Sequence, residues 1–282
     1  MTKYIYEYQE LKIELTVGGK KFERLVPTFE LLSRRGAPVR FLTFEVGNVK
    51  SPAQGGIYTG SVNAGDEATL VWGLADAPTT IFKGKVASLY NSRAVMAIAK
   101  DAGKLLVDTI TTTNTRYETT SQIAKRLATE AGVSPGKVTT NFDVTFPHFC
   151  ALGLSVQAAL MQLKQSLADS YGLDVSDLAW WVDGDDVFHF GTYADKTNGR
   201  NVCKKPLEIN NEQNLLELAA PVSPGYPGRV LTHAWPYFDH SQPITITDKR
   251  LAQISGKVFR IDAVRHIQQG RKARTEVFFR EP

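Results

Sequence analysis

The end of the chain constrains the fold most. Residues 257–267 and 273–280 are two runs of β-prone residues joined by the turn-forming sequence Gln268-Gln269-Gly270-Arg271. Alternation places Phe259, Ile261 and Ala263 on one face and Arg260 and Asp262 on the other. This pattern predicts a terminal antiparallel hairpin with one face buried. It is preceded by a leucine strand, Leu215-Leu216-Glu217-Leu218, and by a Pro/Gly turn, Pro224-Gly225-Tyr226-Pro227, that leads into a valine strand at Gly228-Arg229-Val230.

The first part of the chain is also strand-rich. Leu11, Ile13 and Leu15 alternate with Glu10, Lys12 and Glu14, the period of a half-buried strand, and Val17-Gly18-Gly19-Lys20 reads as a hairpin turn. Further strands are expected within residues 29–35, 38–46, 65–73 and 81–90. Gly84 interrupts the last of these where a bend or a close backbone approach is needed.

In the middle the period changes from two to about 3.6. Thr119 and Gln122 form a capping box, and Ile123, Leu127 and Ala131 then recur on one helical face before Gly132. A second helix is predicted from Ser155 to Tyr171, with Val156, Leu160, Leu163, Leu167 and Tyr171 as its apolar stripe, Lys164 facing solvent and Gly172 as the stop. Residues 178–182 and 187–190 flank Asp183-Gly184, the strongest short-range signal for a hairpin.

The order of the C-terminal strands, closing with Ile261-Asp262-Ala263-Val264-Arg265-His266 and Thr275-Glu276-Val277, resembles the last barrel of the baseplate hub family of contractile tails. That family includes phage tail hubs, late-control D proteins and the N-terminal part of type VI secretion spike proteins. Gly65-Asp66 through Leu70-Val71-Trp72-Gly73, followed by Phe82, Gly84 and Val86, is similar to its first barrel, and the placement of Gly228-Arg229-Val230 and Gly256-Lys257-Val258 suggests a duplication. The resemblance implies an α+β, mainly β chain with two similar tube-type β-barrel domains, at 1–110 and 211–282, around a helical and hairpin insert at 111–210. It also implies a structural role without a catalytic centre or cofactor: a homotrimer that joins the tail tube to a central spike, contacts other baseplate proteins and touches DNA transiently and non-specifically in its channel. The expected location is the virion baseplate, assembled in the host cytoplasm. Because the sequence ends at Pro282 directly after the hairpin, a separate spike protein is expected.

Composition agrees with two barrel-sized units, since 282 residues at 43% hydrophobic content can bury two cores. The N-terminus has no apolar signal core, and no stretch approaches the roughly 20 apolar residues that span a bilayer. Cys150 and Cys203 form no metal or disulfide framework and are read as reduced. From Lys249 onward nine basic residues (Lys249, Arg250, Lys257, Arg260, Arg265, Arg271, Lys272, Arg274, Arg280) face three acidic ones (Asp262, Glu276, Glu281). That segment therefore carries +6, and the rest of the chain −2, of the net +4. Arg260, Arg265 and Arg274 are the candidate interface or channel-wall residues, and a basic DNA-binding module is the reading that charge alone suggests.

Several other residues invite chemical readings. His148 and Cys150 lack the further ligands of a zinc site. Asp183, Asp185 and Asp186 lack the spacing of a calcium loop. His189, His233, His240 and His266 stand beside no nucleophile motif and read as structural. The enzymatic alternative, a tail-associated cell-wall hydrolase, would use the histidine and aspartates around 183–189. Of Trp180 and Trp181, at least one is expected in the core.

Overall fold

The computed structural model describes residues 11–22, 28–47, 62–74, 78–91, 94–138, 143–192, 207–210, 214–219, 228–248, 254–270 and 272–280. The turn at Pro224 to Pro227, together with Glu10, Cys203, Lys249, Arg250, Arg271 and Glu281, lies outside the described residues.

Among the described residues, the first part of the chain holds seven strands: β1 (Leu11–Val17), β2 (Lys20–Phe22), β3 (Thr28–Arg34), β4 (Phe41–Gly47), β5 (Glu67–Leu74), β6 (Thr79–Asn91) and β7 (Ala94–Lys100). The middle holds α1 (Lys104–Asp108), β8 (Ile110–Thr115), β9 (Glu118–Thr119), α2 (Thr120–Glu130), β10 (Ser134–Val138), β11 (Thr145–Phe146), β12 (Phe149–Ser155), α3 (Val156–Tyr171), β13 (Ala179–Val182) and β14 (Val187–Gly191). The described residues of the last part form six strands: β15 (Leu207–Asn210), β16 (Leu215–Ala219), β17 (Gly228–His233), β18 (Pro243–Thr247), β19 (Val258–Gln269) and β20 (Lys272–Arg280).

The fold is mainly β. The first and last groups of strands form one sheet in the order β16-β17-β20-β19-β3-β4-β7-β6-β5-β1-β2, with β18 and β15 branching from β19. Among the described residues no pairing closes either end of this path into a barrel. The described residues form three hydrophobic clusters. Leu15, Phe29, Phe44, Trp72 and Phe82 belong to one, Ile209, Val230, Phe259, Ile261 and Phe279 to another, and Leu106, Leu127, Leu163, Trp180 and Phe188 to the cluster of the middle segment.

Both glycine signals in the first group act as the sequence suggests. Gly18 and Gly19 adopt φ of 55° and 78°, the left-handed pair that a two-residue hairpin turn with native twist requires. A Cβ on Gly84 would lie 2.3 Å from the Lys100 carbonyl oxygen, so β6 and β7 approach there more closely than a side chain permits.

The two long helices start where expected. Thr119 and Gln122 exchange both bonds of a capping box, and Ser155 Oγ accepts from the Ala158 amide. Gly172, at φ 63°, ends α3 in the left-handed conformation. The buried face of α3 is Val156, Ala159, Leu160, Leu163 and Leu167, whereas Tyr171 is exposed and lies edge-on to Phe146 at 5.2 Å. The two four-residue steps from Leu163 carry position 171 about 80° around the helix and out of the stripe. Lys164 is not a solvated residue either, because its Nζ donates to the Leu178 carbonyl at 2.7 Å.

The hairpin β13–β14 turns at Asp183-Gly184 and is extended by β10, which pairs in parallel with β14 from the edge. Edge position explains how β10 accommodates Pro135. Trp180 and Trp181 are both buried. Trp180 donates to Gln157 of α3 at 2.6 Å, and Trp181 faces the large sheet, stacking at 18° on His189 and meeting His240 edge-on.

If the α3 stripe is read correctly, Leu163→Ala should destabilise the protein by about 2–5 kcal/mol through the cavity it leaves. Gln165→Ala, on the exposed side, should stay within about 0.5 kcal/mol of wild type. Lys164→Ala should fall between them, at about 1 kcal/mol for its hydrogen bond. Chemical denaturation of the three variants measures the order, and equal midpoints for Leu163→Ala and Gln165→Ala would refute the assignment.

Candidate interface around the bulged strand

β19 pairs with β20 along one edge. Along the other it pairs first with β18, over 258–260, and then with β3, over 263–268. Between the two partners lies Asp262, an extra residue: Ile261 is opposite Phe279, and Ala263 is opposite Phe278. A bulge of this kind shifts the alternation by one. Phe259 and Ile261 are buried as expected, but the inward set continues with Val264, His266 and Gln268. Ala263 is therefore displaced from the face assigned by simple alternation and stands on the outward side with Arg34 and Arg260, around the same cavity. The bulge's polar groups are satisfied, since the Asp262 carbonyl accepts from the Arg35 amide at 2.7 Å and the Ile261 carbonyl from Ser241 at 2.7 Å.

His266 sits on the inward face where the two cores meet. Its Nε2 donates to the Phe238 carbonyl at 3.2 Å, its Nδ1 is 3.1 Å from Thr275 Oγ1, and its ring meets Trp72 edge-on at 5.1 Å. This is a structural histidine, as its sequence context suggests.

The outward face carries the charges. Arg260 binds Asp262 at 3.0 Å and also Asp177, and Arg280 binds Asp262. Further along, Arg265 binds Glu30 at 2.6 Å and Glu276 at 3.4 Å, while Arg229 shares Glu276 and meets Glu217 at 3.2 Å. The hydrogen bond to Glu30 raises the Arg265 pKa above its ordinary value, and the bond to Glu276 does the same for Arg229. Arg274 is exposed, and among the described residues it makes no ion pair. Of the three candidate arginines, two therefore lie within carboxylate networks of their own chain and one stands apart from them. Beyond Asp262 and Glu276, which the +6 already counts, Glu30 and Asp177 offset it from outside the segment.

Sequence reasoning missed Arg35 and Asp177. Arg35 leaves the end of β3 and reaches the middle segment, donating to the Asp177 carbonyl at 2.5 Å and to Ser241 Oγ at 2.6 Å, with its guanidinium 5.7 Å from the Trp181 ring. Burial lowers its pKa to about 10; the nearby Arg260 adds to the effect, and Asp177 and Asp262 oppose it. The run Arg34-Arg35-Gly36 is the only signal the sequence carries for this position, and Asp177 has none.

Two further polar pairs bear on chemistry. Asp101 and Arg40 form a buried ion pair at 2.7 Å; burial raises the Asp101 pKa, and Arg40 opposes that rise. Asp183 and His189 meet at 2.8 Å. Asp183 also accepts from the amides of Asp185 and Val187, so the carboxylate locks the hairpin turn. His189 is buried and its ring stacks on Trp181. Asp185 is exposed near Lys83. His148 meets Asn114 at 2.8 Å and Cys150 is a half-buried free thiol, and no group of three or more potential metal ligands occurs among the described residues. His240 Nδ1 lies 2.9 Å from Ser241 Oγ, and His233 is exposed at the end of β17.

Burial alone would raise the Asp183 pKa. The hydrogen bonds from His189 and the two amides outweigh it and hold the carboxyl below its ordinary 3.8. A lowered carboxylate contributes stability that is present above its unfolded value and lost as pH falls through the folded one. Thermal melts of the wild type should therefore lose stability more steeply below about pH 4 than those of Asp183→Asn. Parallel acid slopes would show that the turn lock does not depend on the charge.

No protein-family model matches the chain, and no curated protein matches it. Solved structures do. A 43 kDa tail protein of prophage MuSo2 from Shewanella oneidensis superposes with a TM-score of 0.69 at 11% identity, covering 97% of both chains. A tail protein from Neisseria meningitidis MC58 gives 0.67 at 13% identity, covering 96% of both. The Escherichia coli c3393 protein, a type VI secretion component described as structurally similar to the bacteriophage T4 tail proteins gp27 and gp5, gives 0.62 at 11% identity over 97% of this chain and 77% of that one. The chain has the fold of these tail and type VI secretion proteins, the group that its terminal hairpin resembles.

Proposed function

We propose that this chain is a structural hub subunit at the tip of a phage-like contractile tail. The observation that carries the reading is the likeness to a prophage tail protein and to a second tail protein over nearly the whole of both chains. A shared fold does not by itself dictate function; what supports the reading is that the likeness runs through all three segments of the chain. In this reading the segments 1–110 and 211–282 are two tube-like units around the insert 111–210, with Leu106 and Ile209 packing across those divisions.

A homotrimer of such chains presents six similar units, so a three-fold spike can meet a six-fold tail tube without a gap. The partners are then the tail tube, a separate spike protein and other baseplate proteins, and the site of action is the virion tail, after assembly in the host cytoplasm. DNA passing through the channel makes only transient contact, which suits a wall whose arginines are held by acids. The Asp183–His189 pair, engaged in the hairpin turn, serves structure rather than hydrolysis.

Two outcomes test the proposal. Purified protein, alone or with its spike, should form a ring-shaped homotrimer in electron micrographs and light scattering; a monomer that persists with the spike present would overturn the reading. Arg265→Glu should impair particle assembly, while the free wild-type protein should bind DNA only weakly and in a salt-sensitive way, with a Kd on the order of 10⁻⁴–10⁻⁶ M. Tight, sequence-selective binding that survives raised salt would favour a nucleic-acid module instead.

A further inference from the structure

The outward face of β19 gathers more positive charge than its own acids balance. Arg260 and Arg280 stand directly opposite each other on β19 and β20, an arrangement of like charges that costs stability in a sheet. Asp262, the bulged residue between them, binds both. Asp177 binds Arg260 and lies 3.7 Å from Arg35. Each carboxylate is thus already shared between two guanidinium groups.

Arg34 and Lys164 complete the set. Arg34 is exposed and makes no ion pair among the described residues, and Lys164 donates to the Leu178 carbonyl. The five cations and two carboxylates surround a cavity of about 380 Å³ whose apolar lining includes Leu32, Ala263 and Phe278. The formal surplus is three positive charges. Burial lowers the Lys164 pKa and the charge of Arg35 lowers it further, while Asp177 and Asp174 oppose the shift.

We propose that this cavity is a docking pocket for an acidic peptide segment of a partner protein, its carboxylates meeting Arg34, Arg280 and Lys164 and an apolar side chain resting on Leu32 and Phe278. A nucleic-acid backbone fits it less well. Duplex phosphates are met by cations spread along a face or stripe, whereas here they converge on a single recess with Asp177 and Asp262 in its wall. The apolar lining likewise favours a peptide side chain over a bare inorganic anion. The inference rests on this cavity alone and holds whether or not the chain sits in a tail.

Fluorescence anisotropy with a labelled peptide, Asp-Glu-Leu-Phe-Glu-Asp, tests it. Binding should be saturable, should weaken with salt, and should be absent for the same peptide with lysines in place of the acids. Arg34→Glu and Ser176→Glu, both at exposed rim positions, should each weaken binding about tenfold, and Arg34→Lys should retain it within about twofold. If Arg34→Glu also lowers the melting temperature, Ser176→Glu decides. Absence of saturable binding, unchanged affinity in the Glu variants, or displacement of the peptide by inorganic phosphate or by a short DNA duplex at matched charge would each overturn the proposal.

Discussion

The handover along β19 governs the rest of the structure. One strand cannot keep a single flat ladder while exchanging β18 for β3 on the same edge, because the two partners belong to different cores. The extra residue at Asp262 provides the bend, and the Arg35 amide on the free Asp262 carbonyl prevents the unpaired group from becoming a buried cost. The consequence reaches beyond the backbone. By shifting the alternation, the bulge keeps Val264 and His266 facing inward and places Asp262 between two opposed arginines. The same residue that joins the two halves of the sheet also permits Arg260 and Arg280 to coexist.

Charge on the outward face follows the same logic of local compensation. Exposed pairs such as Arg265 with Glu30 contribute little stability. Glu276, whose side chain is only 8% exposed, matters more, because it holds Arg229 and Arg265 together across neighbouring strands. The middle segment is anchored differently, by Arg35 reaching from β3 to the Asp177 carbonyl and lying near the Trp181 ring. A buried guanidinium with its hydrogen bonds met fixes orientation more than it adds net stability, and orientation is what this junction requires.

What could be read in the sequence was what local chemistry decides. The capping box at Thr119, the left-handed stop at Gly172, the double glycine at 18–19 and the Asp-Gly hairpin each depend on a few adjacent residues, and each is found in place. The features that escaped depend on distant partners. A bulge at Asp262 leaves no trace in an alternating pattern that reads smoothly through it. Pro135 and Gly136 argue against a strand until β10 is known to lie at an edge, where a missing amide costs little. Lys164 reads as a solvated helix residue in the sequence because the Leu178 carbonyl it binds is supplied by a segment 14 positions away. Five-residue α1 offered too short a pattern to recognise. At the candidate interface, Arg260 and Arg265 were visible as charges, but their acids, Asp177 and Glu30, were joined to them only by the fold.

The structural likeness at 11–13% identity also has a physical reading. The inward positions of β19 and β20 ask only for apolar bulk at Phe259, Ile261, Val277 and Phe279, a requirement that many sequences meet. A few positions are more demanding: Gly84 and Gly228, where a Cβ would strike the Lys100 carbonyl or the Phe279 ring at 2.3 Å, and the bulge itself. Such constraints fall on the inward positions, the close approaches and the bulge, and place few demands on the outward face. In this chain the inward residues of β19 belong to the core, while its outward residues and the segment docked against them carry the charge cluster around the cavity.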